Sequence, residues 1–226
     1  MQALELGPLW VSLQLGLVTV ICLLLIATPL AWWLAFTQNR ARAAIEAVVA
    51  LPLVLPPTVL GFYLLILLGP AGWIGRLWVE VTDTTLTFSF TGLVIASIIY
   101  SLPFAVQPLQ GAFEAVGKAP LEAAATLGAT PARRFFAVAS PLAARGYLSA
   151  IVLVFAHTLG EFGVVLMVGG NIPGRTKVIS IAVFEHVETL AYAQAHILSA
   201  GLLVFSFLLL LVIFGLNRRL PIRFAT

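Results

Sequence analysis

Residues 196–216 read HILSAGLLVFSFLLLLVIFGL, a stretch that contains no Asp, Glu, Lys or Arg. About 20 consecutive apolar residues are needed for a helix to cross the hydrocarbon core of a bilayer. Backbone groups in lipid must bond internally, and the stretch lacks the alternation of a barrel strand, so a helix is expected. The segment therefore predicts an integral membrane protein.

The composition of the whole chain also indicates a membrane protein. Of 226 residues, 61% are apolar and 9% are charged, whereas a soluble domain is about a quarter charged. The net charge of +3 does not indicate nucleic acid, because the basic residues flank apolar spans. Cys22 is the single cysteine, which excludes a disulfide framework. No Lys or Arg precedes Trp10, so a retained first helix is expected rather than a signal peptide.

Four further stretches resemble the first in length and apolar content. The chain is predicted to be one all-α transmembrane domain, 1–226, with spans at 10–36, 45–69, 88–107, 146–168 and 196–216. A sixth short span or re-entrant piece within 70–87 or 178–195 stays open, so the expected number of spans is five to six.

Basic residues are distributed unevenly between the two sides of these spans. One side holds nine of them: Arg40, Arg42, Lys118, Arg133, Arg134, Arg145, Arg218, Arg219 and Arg223. The other side holds three: Arg76, Arg175 and Lys177. Because cytoplasmic loops carry the excess of Lys and Arg, the N-terminus is predicted outside and the C-terminus in the cytoplasm of a multi-pass inner-membrane protein.

The predicted cytoplasmic loop, 108–145, contains the signals of a short helix. Pro120 can open a helix and Gly128 can close it in a left-handed cap. Eight residues make a helix of about 12 Å. Such an alanine-rich helix could fit a groove on a partner or be a plain connector, and shape alone does not decide. Thr130 and Pro131 predict the N-cap and first residue of a second helix.

The spacing within this loop resembles the EAA loop of ABC importer permeases. That family pattern reads EAA, three residues, G, nine residues, I, one residue, LP. Here Glu122 begins EAA, Gly128 follows at the family spacing, and Pro141 ends the pattern. The sequence departs from it at Val138 and Ser140.

The resemblance implies a type I ABC importer permease that acts as a homodimer with two separate ATPase subunits. It implies that the docking residues are Leu121, Glu122, Ala123, Ala124, Thr126, Leu127 and Gly128. The chain has no G-x-x-x-x-G-K-[ST] motif. It is therefore not expected to be an enzyme or to bind a cofactor, and ATP and Mg are expected on the ATPase.

The second span contains Pro52, Pro56 and Pro57, each of which removes a backbone donor. One interpretation is a packing kink, which is favoured because kinks are common in membrane helices. The other is a discontinuous helix that lines a pathway, with free N–H groups near Thr58, Val59 and Leu60 offered to an anion.

Two stretches resemble the molybdate permeases and their sulfate-transporting relatives. They are LPLVLPPTVLGFYLL at 51–65 and HTLGEFGVVLMVGGNIPGRTKVISIAVFEHVE at 157–188. The resemblance implies import of a tetrahedral dianion delivered by a periplasmic binding protein. Molybdate fits best, with tungstate and sulfate as alternatives.

Glu161 is the one carboxylate well inside a predicted span, and His157 lies four residues earlier on what would be one helical face. A structural polar pair is the preferred interpretation, and a proton relay is the alternative. A metal site is discounted because no third ligand has suitable spacing. If Glu161 touches the pathway, with Pro56, Pro57 and Thr58, it is expected to be neutralised or part of a gate.

Arg175 and Lys177 lie in a Gly/Pro-rich outer loop, which is either simply solvated or a dock for acidic residues of the binding protein. A self-contained proton-coupled carrier stays a rival function, supported by His157 and Glu161. A membrane enzyme is disfavoured, because no paired carboxylates or H-E-x-x-H motif occur in the spans.

Overall fold

A computed structural model describes residues 7–219, except for the side chains of 212–214 and 216–219. The described residues contain no strand. Their helices are α1 (Gly7–Phe36), α2 (Arg42–Val54), α3 (Pro57–Leu68), α4 (Trp73–Thr82), α5 (Phe90–Val116), α6 (Ala119–Thr126), α7 (Pro131–Arg134), a π-helical turn (Phe135–Ala139), α8 (Ser140–Leu142), α9 (Ala144–Gly160), α10 (Gly163–Gly169), α11 (Ile179–Glu188) and α12 (Tyr192–Arg219). The predicted cytoplasmic side chains of Arg218, Arg219 and Arg223 lie outside the described residues.

Three helices, α1, α5 and α12, are each long and apolar enough to cross a membrane. Two bent pairs pass the same test when each pair counts as one span: α2 with α3, and the segment 131–142 with α9. The predicted extra pieces at 70–87 and 178–195 contain α4 and α11, of ten residues each. At about 1.5 Å per residue these helices are too short to span a bilayer.

The second predicted span is two helices rather than one kinked helix. α2 and α3 meet at 111°, and Leu55 and Pro56 between them have extended backbone. Pro56 and Pro57 cannot donate backbone hydrogen bonds, so the helical ladder stops there. The favoured interpretation of this segment as one kinked helix is therefore wrong, and the segment is a discontinuous helix.

The fourth predicted span, 146–168, is also interrupted, which the sequence did not predict. α9 ends at Gly160, Glu161 is extended with φ −66° and ψ 129°, and α10 begins at Gly163. The Ser180 hydroxyl donates to the Glu161 carbonyl at 2.5 Å. Gly160 and Gly163, which have low helix propensity, flank the hydrogen bond from Ser180. Together they account for the interruption.

The third predicted span is longer than expected. α5 continues through Pro103 and Pro108 to Val116, so residues 108–116 are helix rather than loop. Its 27 residues make a rod of about 40 Å, longer than the roughly 30 Å hydrocarbon core. α5 is therefore long enough to extend beyond the lipid, and its C-terminal end leads into α6.

The core lies where α1, α5 and α9 pack together. Trp32 of α1 makes edge contacts with Phe113 of α5 and Phe135 of the π-helical turn, with ring centroids 5.2 and 5.1 Å apart. Tyr147 of α9 meets Phe113 at 6.0 Å. A separate cluster joins α3 and α10 to α5 through Leu64, Val164 and Ala96. α12 is largely exposed, and only 6% of the apolar stretch within its residues 192–211 is buried.

Candidate functional site

The two helix breaks lie against each other in the folded chain. A Cβ atom built on Gly163 would lie 3.0 Å from the Pro57 Cβ and 3.4 Å from the Thr58 backbone nitrogen. One turn further along, a Cβ on Gly61 would lie 2.9 Å from the Met167 Cβ. Small residues thus let α3 and α10 approach closely, and the start of α3 meets the break after α9.

A cavity of about 440 Å³ opens at this meeting point and is called the junction cavity below. Its lining comes from the start of α3, from α5 and from the interrupted fourth span. The lining residues are Pro57, Thr58, Tyr100, Ala156, His157, Gly160, Glu161, Phe162 and Gly163. No Lys or Arg is among them.

Glu161 is 3% exposed, and its two carboxyl oxygens differ in their surroundings. Oε2 accepts a hydrogen bond from the Ser97 hydroxyl of α5 at 2.8 Å. Oε1 has no hydrogen-bond partner among the described residues. A buried carboxyl oxygen without a partner is costly, which makes Glu161 the least satisfied group in the junction cavity.

His157 lies near Glu161 but has its own partners. Its Nδ1 is 2.9 Å from the Ser101 hydroxyl, and its ring stacks on Phe104 with centroids 4.1 Å apart. Because α9 ends before Glu161, the predicted shared helical face of the two residues is wrong. No hydrogen bond joins them within residues 7–219, and no group of three metal-ligating side chains occurs there.

The start of α3 carries the predicted pathway residues Pro56, Pro57 and Thr58, all exposed in a single copy of the chain. The N–H groups of Val59 and Leu60 both donate to the Pro56 carbonyl, at 2.9 and 3.2 Å. These two donors are therefore occupied, contrary to prediction. The Thr58 N–H has no backbone partner in the described chain, and it lies at the positive end of a 12-residue helix.

The predicted cytoplasmic helix is present as α6 and is called the coupling helix below. Thr126 ends it, and Gly128 follows with φ +80°. The Gly128 N–H bonds the Ala125 carbonyl and the Ala129 N–H bonds the Ala124 carbonyl, which is a Schellman cap. Thr130 then caps α7 through the Arg133 N–H, as predicted.

The predicted docking residues divide into an inner and an outer set. Leu121 is 9% exposed and packs into the core around Phe113 and Phe135. It is therefore an anchor within the chain, which corrects its assignment as a docking residue. Exposed or half-exposed positions remain at Glu122, Ala123, Ala124, Thr126, Leu127 and Gly128, and Leu127 is 88% exposed.

A polar network between α2 and the C-terminal part of α5 was not predicted from the sequence. Arg42 of α2 bonds Glu46 at 2.8 Å and reaches Glu114 of α5 at 2.6 Å. Gln110 donates to Glu46 at 2.7 Å and to Glu114 at 3.1 Å. The Arg42–Glu46 and Gln110–Glu114 pairs, four residues apart in each helix, were the available signal.

Arg175 and Lys177, the two basic residues predicted to dock a binding protein, differ in their surroundings. Lys177 is 7% exposed and pairs with Glu185 of α11 at 2.7 Å. Asn171 donates to the same carboxylate at 3.0 Å. The Lys177 hydrogen bond, followed by that of Asn171, lowers the pKa of Glu185. Because Lys177 is buried and paired, only Arg175, which is exposed, still fits the docking interpretation.

Sequence comparison places the chain with membrane transport components. Residues 27–225 match the family described as binding-protein-dependent transport system inner membrane component. The molybdenum transport system permease ModB of Azotobacter vinelandii is 55% identical over 95% of both chains. ModB of Haemophilus influenzae is 34% identical over 82% of this chain and 81% of its own length. The sulfate transport permease CysT of Synechocystis is 35% identical over 82% of this chain and 65% of its own.

Solved structures of ABC transporters share the fold of this chain. A bacterial ABC transporter involved in alginate import superposes with a TM-score of 0.78 at 16% identity, over 98% of this chain and 81% of that one. The inward-facing MetNI methionine ABC transporter superposes with a TM-score of 0.71 at 16% identity, over 96% and 95%. The type I importer permease fold predicted from the sequence is thereby confirmed.

Proposed function

The chain belongs to the binding-protein-dependent transport system inner membrane components, and on this premise we propose that it forms the membrane pathway of an ATP-driven importer of molybdate. Permeases of this family work in the inner membrane with ATPase subunits and a periplasmic binding protein, and they are not themselves catalytic. The observation that carries the choice of molybdate is the 55% identity with a molybdenum permease along nearly the whole chain.

Sulfate and tungstate are the alternative cargoes. The sulfate permease of Synechocystis shares 35% identity with this chain, which favours a common route for tetrahedral dianions. Tungstate has nearly the size and charge of molybdate. Final selection among the three is assigned to the binding protein, which carries the anion to the outer loop around Arg175.

The junction cavity is the proposed pathway through one copy of the chain. Thr58 offers a hydroxyl there and an N–H that has no backbone partner in the described chain, and the start of α3 is the positive end of its helix dipole. Pro56, Pro57 and Thr58 are exposed in a single copy. A second copy across this surface would enclose the path, so we assign the complex two copies of this chain and two ATPase subunits.

The coupling helix is the proposed contact with each ATPase, which binds the ATP and Mg. This places the loop between α5 and α9 in the cytoplasm, with the N-terminus outside and the C-terminus inside. A proton-coupled carrier is the weaker candidate, since the His157–Glu161 relay that would support it lacks a direct hydrogen bond among the described residues.

Reconstitution of the chain with its ATPase and binding protein in proteoliposomes tests the proposal. We expect uptake of radiolabelled molybdate that requires ATP and all three components. Sulfate should compete weakly at equal concentration. Uptake by the chain alone on an ion gradient would refute the importer function, and uptake that sulfate outcompetes would reassign the cargo.

A further inference from the structure

We propose that Glu161 contacts the transported oxyanion directly, by presenting a protonated carboxyl that donates a hydrogen bond to it in the junction cavity. The inference rests on the proposed function and names a binding residue within it. Its starting point is the asymmetry of one buried side chain: Oε2 accepts from Ser97 at 2.8 Å, while Oε1 has no partner in the described chain.

Glu161 lies close to the start of α3, where the Thr58 N–H has no backbone partner among residues 7–219. Glu161 and Thr58 line the same cavity, and Gly163 holds the two breaks within van der Waals distance. A ligand bound between them would meet the Thr58 N–H and hydroxyl on one side and the Glu161 carboxyl on the other, where Oε1, buried in this state, would turn toward it. A fully deprotonated tetrahedral oxyanion brings only acceptor oxygens, so each of these contacts must be a donor.

Charge then decides the protonation state in which Glu161 can serve. No Lys or Arg lines the junction cavity to offset an added negative charge. An ionised Glu161 would face a dianion in a desolvated site, and two like charges there repel strongly. With the proton on Oε1, the same group becomes a hydrogen-bond donor to the anion, while Oε2 keeps its bond from Ser97.

Other titratable groups packed around Glu161 are few. α9 contributes His157, which is held by Ser101 and stacked on Phe104, and α5 contributes Tyr100, whose ring lies 4.6 Å from that of His157. α3 and α10 contribute no charged side chain to the cavity lining, and α11 contributes the Ser180 hydroxyl to the Glu161 carbonyl. Tyrosine ionises only at about pH 10, so a pH effect on transport between pH 6 and 9 comes from Glu161 or His157.

Three substitutions separate donation to the anion from a structural role. Glu161→Gln keeps a neutral donor of the same shape, and Glu161→Met keeps the length but removes the donor. Ser97→Ala is the matched control, because it removes the bond to Oε2 and leaves the donor in place. Each variant is first checked for normal co-purification with the ATPase.

Uptake of radiolabelled molybdate by the full reconstituted complex is measured from pH 6 to 9, with the affinity of the binding protein determined at each pH. At pH 6 we expect Glu161→Gln within about threefold of wild type and Glu161→Met lower by about tenfold or more, as for loss of a hydrogen bond to a charged group. The uptake ratio of Glu161→Gln to wild type should rise with pH, because only the wild-type carboxyl ionises. Ser97→Ala should stay within about threefold of wild type.

Several results would overturn the inference while leaving the proposed function intact, since wild-type uptake is the test of that function. Loss of uptake in an assembled Glu161→Gln complex would mean that the ionised carboxylate is required. A ratio that does not change with pH would assign any titration to His157. Wild-type uptake by Glu161→Met, or a defect in Ser97→Ala as large as that of Glu161→Met, would leave Glu161 without a role in contacting the anion.

Discussion

Leu127 offers the sharpest test of how this chain meets its ATPase. The side chain lies at the end of the coupling helix and is 88% exposed, so nearly all of its surface is available to be buried by a partner. Replacing Leu127 by Ala removes about three methylene-sized groups, each worth about 0.8 kcal/mol when buried. Full burial in a docking cleft would therefore make the change cost about 2 kcal/mol, or about 30-fold in affinity.

The assay is titration of the purified ATPase subunit onto the chain in nanodiscs, read as a dissociation constant per docking site. Leu190→Ala is the matched control, because Leu190 is also an exposed leucine, at 71%, but follows α11 in the segment predicted to lie on the outer side. We expect Leu190→Ala to leave the constant unchanged. An affinity for Leu127→Ala within twofold of wild type would refute the docking of this end of the coupling helix.

Three further predictions follow from local geometry. Gly128→Val should weaken ATPase co-purification at normal membrane insertion, because a β-branched residue at φ +80° costs about 1–3 kcal/mol; normal yield would count against it. Gly61→Val should lower the thermal stability of the detergent-solubilised chain, because its Cβ would lie 2.9 Å from that of Met167, and an unchanged melting temperature would contradict the packing. Because the pKa of Glu185 is lowered in the folded chain, its ion pair adds stability above the ordinary glutamate pKa, and this stability is lost as pH falls through the folded pKa. Glu185→Gln should therefore lose less stability on acidification than wild type when unfolding is measured against pH. The same dependence of stability on pH in both proteins would exclude this contribution of Glu185.

The sequence predicted helices better than it predicted where they stop. Apolar length alone locates a spanning segment, since lipid permits few alternatives to a helix. The first break was signalled by Pro56 and Pro57, which lack the N–H that the ladder needs. The second break has no proline. Gly160 and Gly163 weaken the helix there, but the break also involves the Ser180 hydroxyl, 19 residues away, which donates to the Glu161 carbonyl. A tertiary contact of this kind leaves no local pattern in the chain.

Which side chains are buried was likewise not predictable from the local sequence. Lys177 looked like a solvated cation in a turn, but it is paired with Glu185 and is 7% exposed. Leu121 looked like part of a docking surface, but it packs into the core of its own chain. In both cases the direction of the side chain depends on which helix packs behind it, and the local sequence does not show this.

The position of α5 explains how the two candidate sites can act together. Its end is separated from the coupling helix only by Gly117 and Lys118, and Glu114 near that end is tied to Arg42 of α2 at 2.6 Å. Further along, the same helix supplies Ser97 to Glu161. We therefore expect a displacement of the coupling helix to act on the junction cavity from two sides: through α5, which supplies Tyr100 to the lining, and through α2 and the proline break on the side of Thr58. The Arg42–Glu114 ion pair and the Gln110–Glu46 hydrogen bond join α2 to α5, so we expect the two helices to shift together.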